Sequence, residues 1–262
     1  MSEEYAGPDA AVFDLDGVVT FTAKVHAAAW KQLFDDYLRG REQRFGEPFR
    51  PFDADADYRA YVDGKPRYDG VQSFLESRGI VLPWGTPADS PGWETVCGLG
   101  NRKNELFTAK IREMGVAVDQ EAVRFIRELR DRGVHVGLAS SSKNAVPIVE
   151  SAGLHDLFQQ IVDGVVSERM GLRGKPQPDI FLTCLQKLGR IPPARALVVE
   201  DAIAGVEAGR LGGFGLVLGV DRHGEAAALR DHGADLVIQN FREISAETVF
   251  EYFRAHVPVS SR

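Results

Sequence analysis

Four short polar clusters carry residue types that could act together. In Asp14-Leu15-Asp16-Gly17 two carboxylates stand two residues apart, followed by a glycine. On an extended chain both side chains start on the same side. Carboxylates that close repel unless a cation or proton separates them, and Mg²⁺ is typically held by one or two carboxylates plus substrate phosphate. Ser140-Ser141-Ser142-Lys143-Asn144 places hydroxyls where a helix could begin, a position that can bind phosphate. Gly174-Lys175-Pro176-Gln177-Pro178-Asp179 holds a lysine between a glycine and prolines, and Glu200-Asp201 is a second acidic pair directly after an apolar run. Each has a plain structural reading alone: an Asp-rich turn, a serine cap, a surface lysine. Together they suit metal-assisted phosphoryl transfer, in which metal and lysine offset phosphate charge and an Asp attacks phosphorus.

Such residues need a scaffold that brings them to one edge. Apolar runs at Ala10–Asp14, His135–Ala139, Ile161–Asp163, Ala196–Glu200, Leu216–Val220 and Leu236–Ile238 predict strands. Helical spacing predicts helices over Ala122–Arg132, Lys143–Ser151 (capped by Ser142), Pro178–Leu188, Ile203–Leu211 and Glu247–His256. Strands alternating with helices imply parallel βαβ units, whose ligands sit beyond the strands' carboxyl ends. Three of the polar clusters follow apolar runs directly, as that rule requires. The first third breaks the rhythm: Val25–Leu38, Gln72–Ser77 and Lys103–Met114 look helical, and Pro48–Asp57 reads as a connector. The expected architecture is α/β. A Rossmann-like parallel sheet with helices on both faces (residues 1–22 and 111–262) is interrupted by a helical cap (23–110).

Composition narrows the classes. The chain has 262 residues, 44% hydrophobic and 26% charged, with net charge −7 from 31 basic and 38 acidic residues. That balance fits a globular protein and gives no reason to expect nucleic-acid binding. No apolar run is long enough for a membrane span, and no signal segment precedes Ala10. Only Cys97 and Cys184 are present, too few for a disulfide framework, so a reducing cytoplasm is expected. Asp53, Asp55 and Asp57 lack an EF-hand's Gly and Glu, since Tyr58 and Gly64 stand there. Gly98-Leu99-Gly100 lacks the third glycine of a dinucleotide loop.

At these residues the sequence resembles the haloacid-dehalogenase-like superfamily of phosphotransferases. The resemblance is carried by DLDGVVT (14–20), ASSS (139–142), KPQPDIF (175–181) and ED (200–201). Within it the chain is most similar to the β-phosphoglucomutase family, through Thr22, His26, Ala29-Trp30, Gly64 with Arg67, Arg102-Lys103-Asn104 and the run from Ala139 to Asn144. The resemblance implies Asp14 as nucleophile and Asp16 as general acid/base. It implies a Mg²⁺ site from Asp14, Asp16 (by its backbone carbonyl), Glu200 and Asp201. Ser140 and Lys175 would hold the transferring phosphate and Arg67 the other phosphate of a bisphosphate. Lys103, Asn104, His26 and Gly64 would serve the sugar from the cap. Ser141, Ser142, Lys143 and Asn144 would contact phosphate or sugar. Thr22 would lie at the hinge.

Several positions depart from the family pattern. Phe21 stands where an acid commonly precedes the hinge Thr, Gly70 where a Ser binds phosphate, and Ala202 where a Ser follows the acidic pair. The stretch from His26 to Arg67 is longer than the familiar cap. The expectation is a mutase interconverting β-D-glucose 1-phosphate and glucose 6-phosphate through an aspartyl-phosphate and a bisphosphate, acting as a monomer. A phosphatase of a small sugar phosphate, using the same core, is the alternative, and a non-catalytic binding protein on this fold is the third reading.

Overall fold

The computed structural model describes residues 7–62 and 65–257. Gly64 lies outside the described residues. The chain divides into two compact units, residues 1–21 with 116–262, and residues 22–115.

The first unit is built on six parallel strands: β1 Ala10–Phe13, β2 His135–Ala139, β3 Gln160–Val162, β4 Ala196–Glu200, β5 Leu216–Val220 and β6 Leu236–Ile238, in the order β3-β2-β1-β4-β5-β6. The strand order reverses beside β1, which lies between β2 and β4. In register, Phe13 is level with Leu138 and Val199. Asp14, Ser140 and Glu200-Asp201 therefore leave the sheet side by side at its carboxyl edge, where open α/β sheets bind ligands. All four residues of β1 are fully buried, as expected for a central parallel strand covered on both faces.

Side-chain alternation distributes β1 between two layers. Ala10 and Val12 pack with Phe181 and Cys184 of helix Asp179–Lys187 and with Val206 of helix Ile203–Leu211. Phe13 meets Phe125 of helix Gln120–Asp131 edge-on, 6.1 Å between centroids. Asp119 caps that last helix, its Oδ1 accepting from the amides of Glu121 and Ala122.

The structure moves several expected boundaries. The helix after β2 begins at Ala145, and no side chain caps it. Ser142 instead accepts from Asn144 N–H and Ser140 from Ser142 N–H, two local turns that delay the helix. Helices over Gly164–Met170 and Ala226–Asp231 were not expected from the sequence.

The second unit is helical: Ala23–Phe45, Arg67–Ser77 and Val96–Met114, with a short π-helix at Tyr58–Val62. Phe34, Phe52 and Phe74 form its centre, with centroids 4.0 to 5.3 Å apart. The connector around Phe52 is anchored to the first helix. Phe52 N–H donates to Asp35 at 2.8 Å, and Lys31 donates to the Phe52 carbonyl at 2.9 Å. The Asp53, Asp55 and Asp57 carboxylates are engaged by backbone amides, Arg59 and Arg78.

Candidate active site

β1 ends at Phe13, and the next seven residues fold back tightly. Leu15 O accepts from the amides of Val19 and Thr20 and from Thr20 Oγ1, while Gly17 N–H donates to Thr20 O at 2.7 Å. Gly17 has φ +84°, and a Cβ there would lie 1.8 Å from Asp201 Oδ2. The loop carrying Asp16 therefore rests directly against the second acidic pair, and only glycine allows it.

Lys175 joins the clusters. Its Nζ lies 2.6 Å from Asp14 Oδ1 and 2.5 Å from Glu200 Oε1, with side-chain exposures of 11%, 9% and 2% for Lys175, Asp14 and Glu200. The ammonium also stands 4.8 Å from the centre of the Phe181 ring. Glu200 is fixed on its other oxygen by Ala202 N–H at 2.8 Å. Gly205 leaves room for that carboxylate, since a Cβ would lie 1.9 Å from it. Ser140, 1% exposed, follows β2 beside Asp14.

The electrostatics follow from crowding acids in a buried place. Burial raises the Asp14 carboxyl, Lys175 opposes that rise, and Glu200 and Asp16 add to it, leaving it at about 7. Burial and the charges of Glu200 and Asp14 lift Asp201 well above the usual carboxylate range. Burial alone would lower the Lys175 ammonium, but Asp14 and Glu200 outweigh it and hold it charged. Four carboxylates thus crowd one place, and Lys175 pairs with two of them, Asp14 and Glu200. That surplus of hard oxygen donors is the donor chemistry a small divalent cation takes. Among the described residues no three acids already converge as ligands, and Lys175 bridges two of them.

The remaining expected residues occupy distinct places. Lys143 pairs with Glu168 at 2.8 Å. Ser141 and Lys143 pass close to Gly164, where a Cβ would lie 2.5 Å from Ser141 O. Asn144 stands at the start of the following helix.

In the second unit, Lys103 Nζ lies 2.7 Å from His26 Nδ1. An ammonium has no lone pair, so Nδ1 accepts and the ring carries its proton on Nε2. Burial, then the charges of Lys103 and Arg67, hold His26 well below the ordinary histidine range. The His26 ring stacks on Phe107 at 4.1 Å, and Lys103 lies over both Trp30 and Phe107. Asn104 follows Lys103 on the same helix, Arg67 opens its own helix, and Thr22 precedes the first helix, its carbonyl accepting from His26 N–H.

Sequence reasoning missed Arg222, Asp119 and Phe181. Arg222 and Asp119 belong to no spaced motif, and only the fold brings them near the Asp14–Thr20 loop. Phe181 ends the KPQPDIF run, but its place beside the Lys175 ammonium shows only in the structure.

Comparison with known proteins gives the family and the fold. The haloacid dehalogenase-like hydrolase family matches residues 8–213. A β-phosphoglucomutase of Mycobacterium bovis is 48% identical over 238 residues, covering 90% of each chain. A crystal structure of β-phosphoglucomutase from Clostridium difficile superposes with TM-score 0.74 at 24% identity, covering 95% of this chain and 99% of that one, a likeness of fold. A haloacid dehalogenase family hydrolase from Deinococcus radiodurans, solved with bound phosphate and sodium, superposes with TM-score 0.66 at 28% identity over 94% of this chain and 97% of its own. The chain belongs to the haloacid dehalogenase-like family of enzymes, on its β-phosphoglucomutase branch. No helix among the described residues is long and apolar enough to cross a membrane.

Proposed function

We propose that this chain is a sugar-phosphate mutase that interconverts β-D-glucose 1-phosphate and glucose 6-phosphate. The observation that carries the reading is the Asp14–Lys175–Glu200 cluster at the sheet's carboxyl edge, in a chain 48% identical to a β-phosphoglucomutase. An Asp14 carboxylate oxygen attacks one phosphorus of the sugar bisphosphate, the phosphorus–oxygen bond to that sugar oxygen breaks, and a sugar monophosphate is left. A second monophosphate then takes the phosphoryl group from Asp14 to regenerate the bisphosphate. Asp16 gives its proton to the departing sugar oxygen, then takes one from the hydroxyl that attacks the aspartyl-phosphate in the second half-reaction. Phosphate moves onto the other hydroxyl by way of a sugar bisphosphate. Lys175 and Ser140 hold the transferring oxygens. Asp14, the Asp16 carbonyl, Glu200 and Asp201 would hold Mg²⁺, which would supply positive charge to the phosphoryl group.

The helical unit acts as a cap. Arg67 binds the second phosphate, and Lys103, Asn104, His26 and Gly64 recognise the sugar. Ser141, Ser142, Lys143 and Asn144 contact phosphate or sugar from the core, and Thr22 serves the hinge. The enzyme works as a cytoplasmic monomer.

A phosphatase of a small sugar phosphate is the second reading, favoured by Gly70. This residue brings no hydroxyl for a second phosphate, although a Cβ there would meet Trp30 only at ordinary contact, 3.4 Å. One assay separates the readings. β-D-glucose 1-phosphate is supplied with Mg²⁺ and a trace of glucose 1,6-bisphosphate, while glucose 6-phosphate and inorganic phosphate are followed in parallel. Glucose 6-phosphate without matching phosphate release supports the mutase. Phosphate release equal to substrate loss supports the phosphatase.

A further inference from the structure

Arg222 follows β5, two hundred residues from the catalytic loop in sequence, yet its guanidinium is built into that loop. Nε donates to Gly17 O at 2.6 Å, and Nη2 donates to Val18 O at 3.3 Å and to Asp119 Oδ2 at 2.8 Å. The ion pair with Asp119 is largely buried, with side-chain exposures of 14% and 10%. The guanidinium lies 4.9 Å from the centre of the Phe21 ring and 5.9 Å from that of Phe241. Asp119 is held in turn: its Oδ1 caps a helix, and its N–H donates to Val19 O at 2.9 Å. The two carbonyls that Arg222 grips belong to the residues immediately after Asp16.

We propose that Arg222 is a positioning residue for proton transfer: by gripping the Gly17 and Val18 carbonyls, it sets where Asp16 stands over the phosphate carried by Asp14. The proposal rests on the functional reading above, in which Asp16 is the acid/base. The planar, permanently charged fork suits the task, because one rigid group meets two carbonyls and a carboxylate at fixed angles. Phe21 gains a role as well. It offers an aromatic face to the guanidinium.

The test separates phosphorus attack from proton transfer. With 4-nitrophenyl phosphate, Asp14 attacks phosphorus and the P–O bond breaks to release nitrophenolate, which keeps the electron pair and needs no proton. With a sugar phosphate the leaving alkoxide needs the proton of Asp16. The first-turnover burst of nitrophenolate thus reports Asp14 alone, and sugar-phosphate turnover reports Asp14 with Asp16. Arg222→Met should keep the burst rate within about threefold and slow sugar-phosphate turnover ~30- to 100-fold, the scale of an ångström misplacement. Arg222→Lys retains charge without the fork and should fall between. If Arg222→Met does not fold, the same ratio is read on Arg222→Lys, with the thermal midpoint recorded beside it. Equal losses in both reactions, or no loss in either, would overturn the positioning role. Undiminished nitrophenolate release by Asp14→Asn would overturn Asp14 as nucleophile and the proposal with it, a failure visible without any Arg222 variant.

Discussion

The Asp201 carboxylate stands where a side chain on Gly17 would be: a Cβ built on Gly17 lies 1.8 Å from Asp201 Oδ2. Two motifs nearly two hundred residues apart therefore interlock through a missing atom. Gly17→Ala should abolish most activity and destabilise by more than the ~1–2 kcal/mol of a left-handed alanine alone, because Asp201 must also move. Gly133→Ala is the matched control, with φ +83° against +84° and nothing within 4 Å of the added carbon. Denaturant unfolding of both variants, with activity beside it, checks the claim. Equal stability losses would show that the contact with Asp201 carries no weight.

Lys175 compensates two buried acids at once, so removing it should be costly. Lys175→Met strands Asp14 and Glu200 together and should lower stability at pH 8 by about 3–5 kcal/mol. Asp14→Asn alone should end turnover without lowering the unfolding temperature, since burial already disfavours the ionised carboxylate, whose pKa stands at about 7. Placed in the Lys175→Met background, Asp14→Asn should restore part of the lost stability by removing one of the two stranded charges. Purely additive unfolding free energies in this cycle would show that Asp14 and Lys175 are not coupled.

Much of this arrangement was legible in the sequence. All six strands lie within a residue or so of their expected positions, because short apolar runs bounded by polar clusters have few other uses. The Ile203–Leu211 helix matches to the residue. The helices at Gly164–Met170 and Ala226–Asp231 are seven and six residues long, too short to show a periodic face. Gly98 and Gly100 disguised the first turns of the Val96–Met114 helix. Both are packing glycines there, against the Trp93 carbonyl and the Tyr68 ring. The four acid, serine and lysine clusters were visible because each is a local motif. Arg222 and Asp119 were not, because a lone arginine and a helix cap gain meaning only where the fold brings them together.

His26 gives a pH prediction with a definite sign. Its folded pKa is depressed by burial and by the Lys103 and Arg67 charges, so the folded state resists a proton that the unfolded state accepts below about pH 6.5. This residue should therefore cost stability as pH falls below that value, by up to ~1.4 kcal/mol per pH unit until the folded pKa is reached. His26→Gln should flatten that acid limb. Lys103→Met should move the His26 titration, followed by NMR of the ring protons, up toward the ordinary histidine range. An unchanged titration in Lys103→Met would remove Lys103 as a cause.

Lys143 was expected to face phosphate or sugar, and in the structure it pairs with Glu168. The pair is partly exposed, so it should contribute no more than ~1 kcal/mol to stability, and its effect should appear in binding. Glu168→Gln removes the competing carboxylate and leaves the ammonium available to a phosphate. KM for the sugar phosphate should fall a few-fold with kcat nearly unchanged. Lys143→Ala should raise KM by a similar factor, and the gain from Glu168→Gln should vanish in the double variant, because it acts only through Lys143. Raised salt should shrink all of these differences together, since screening weakens exposed charge pairs first. A Glu168→Gln effect that persists when Lys143 is alanine would place the influence of Glu168 elsewhere and leave Lys143 as a surface charge.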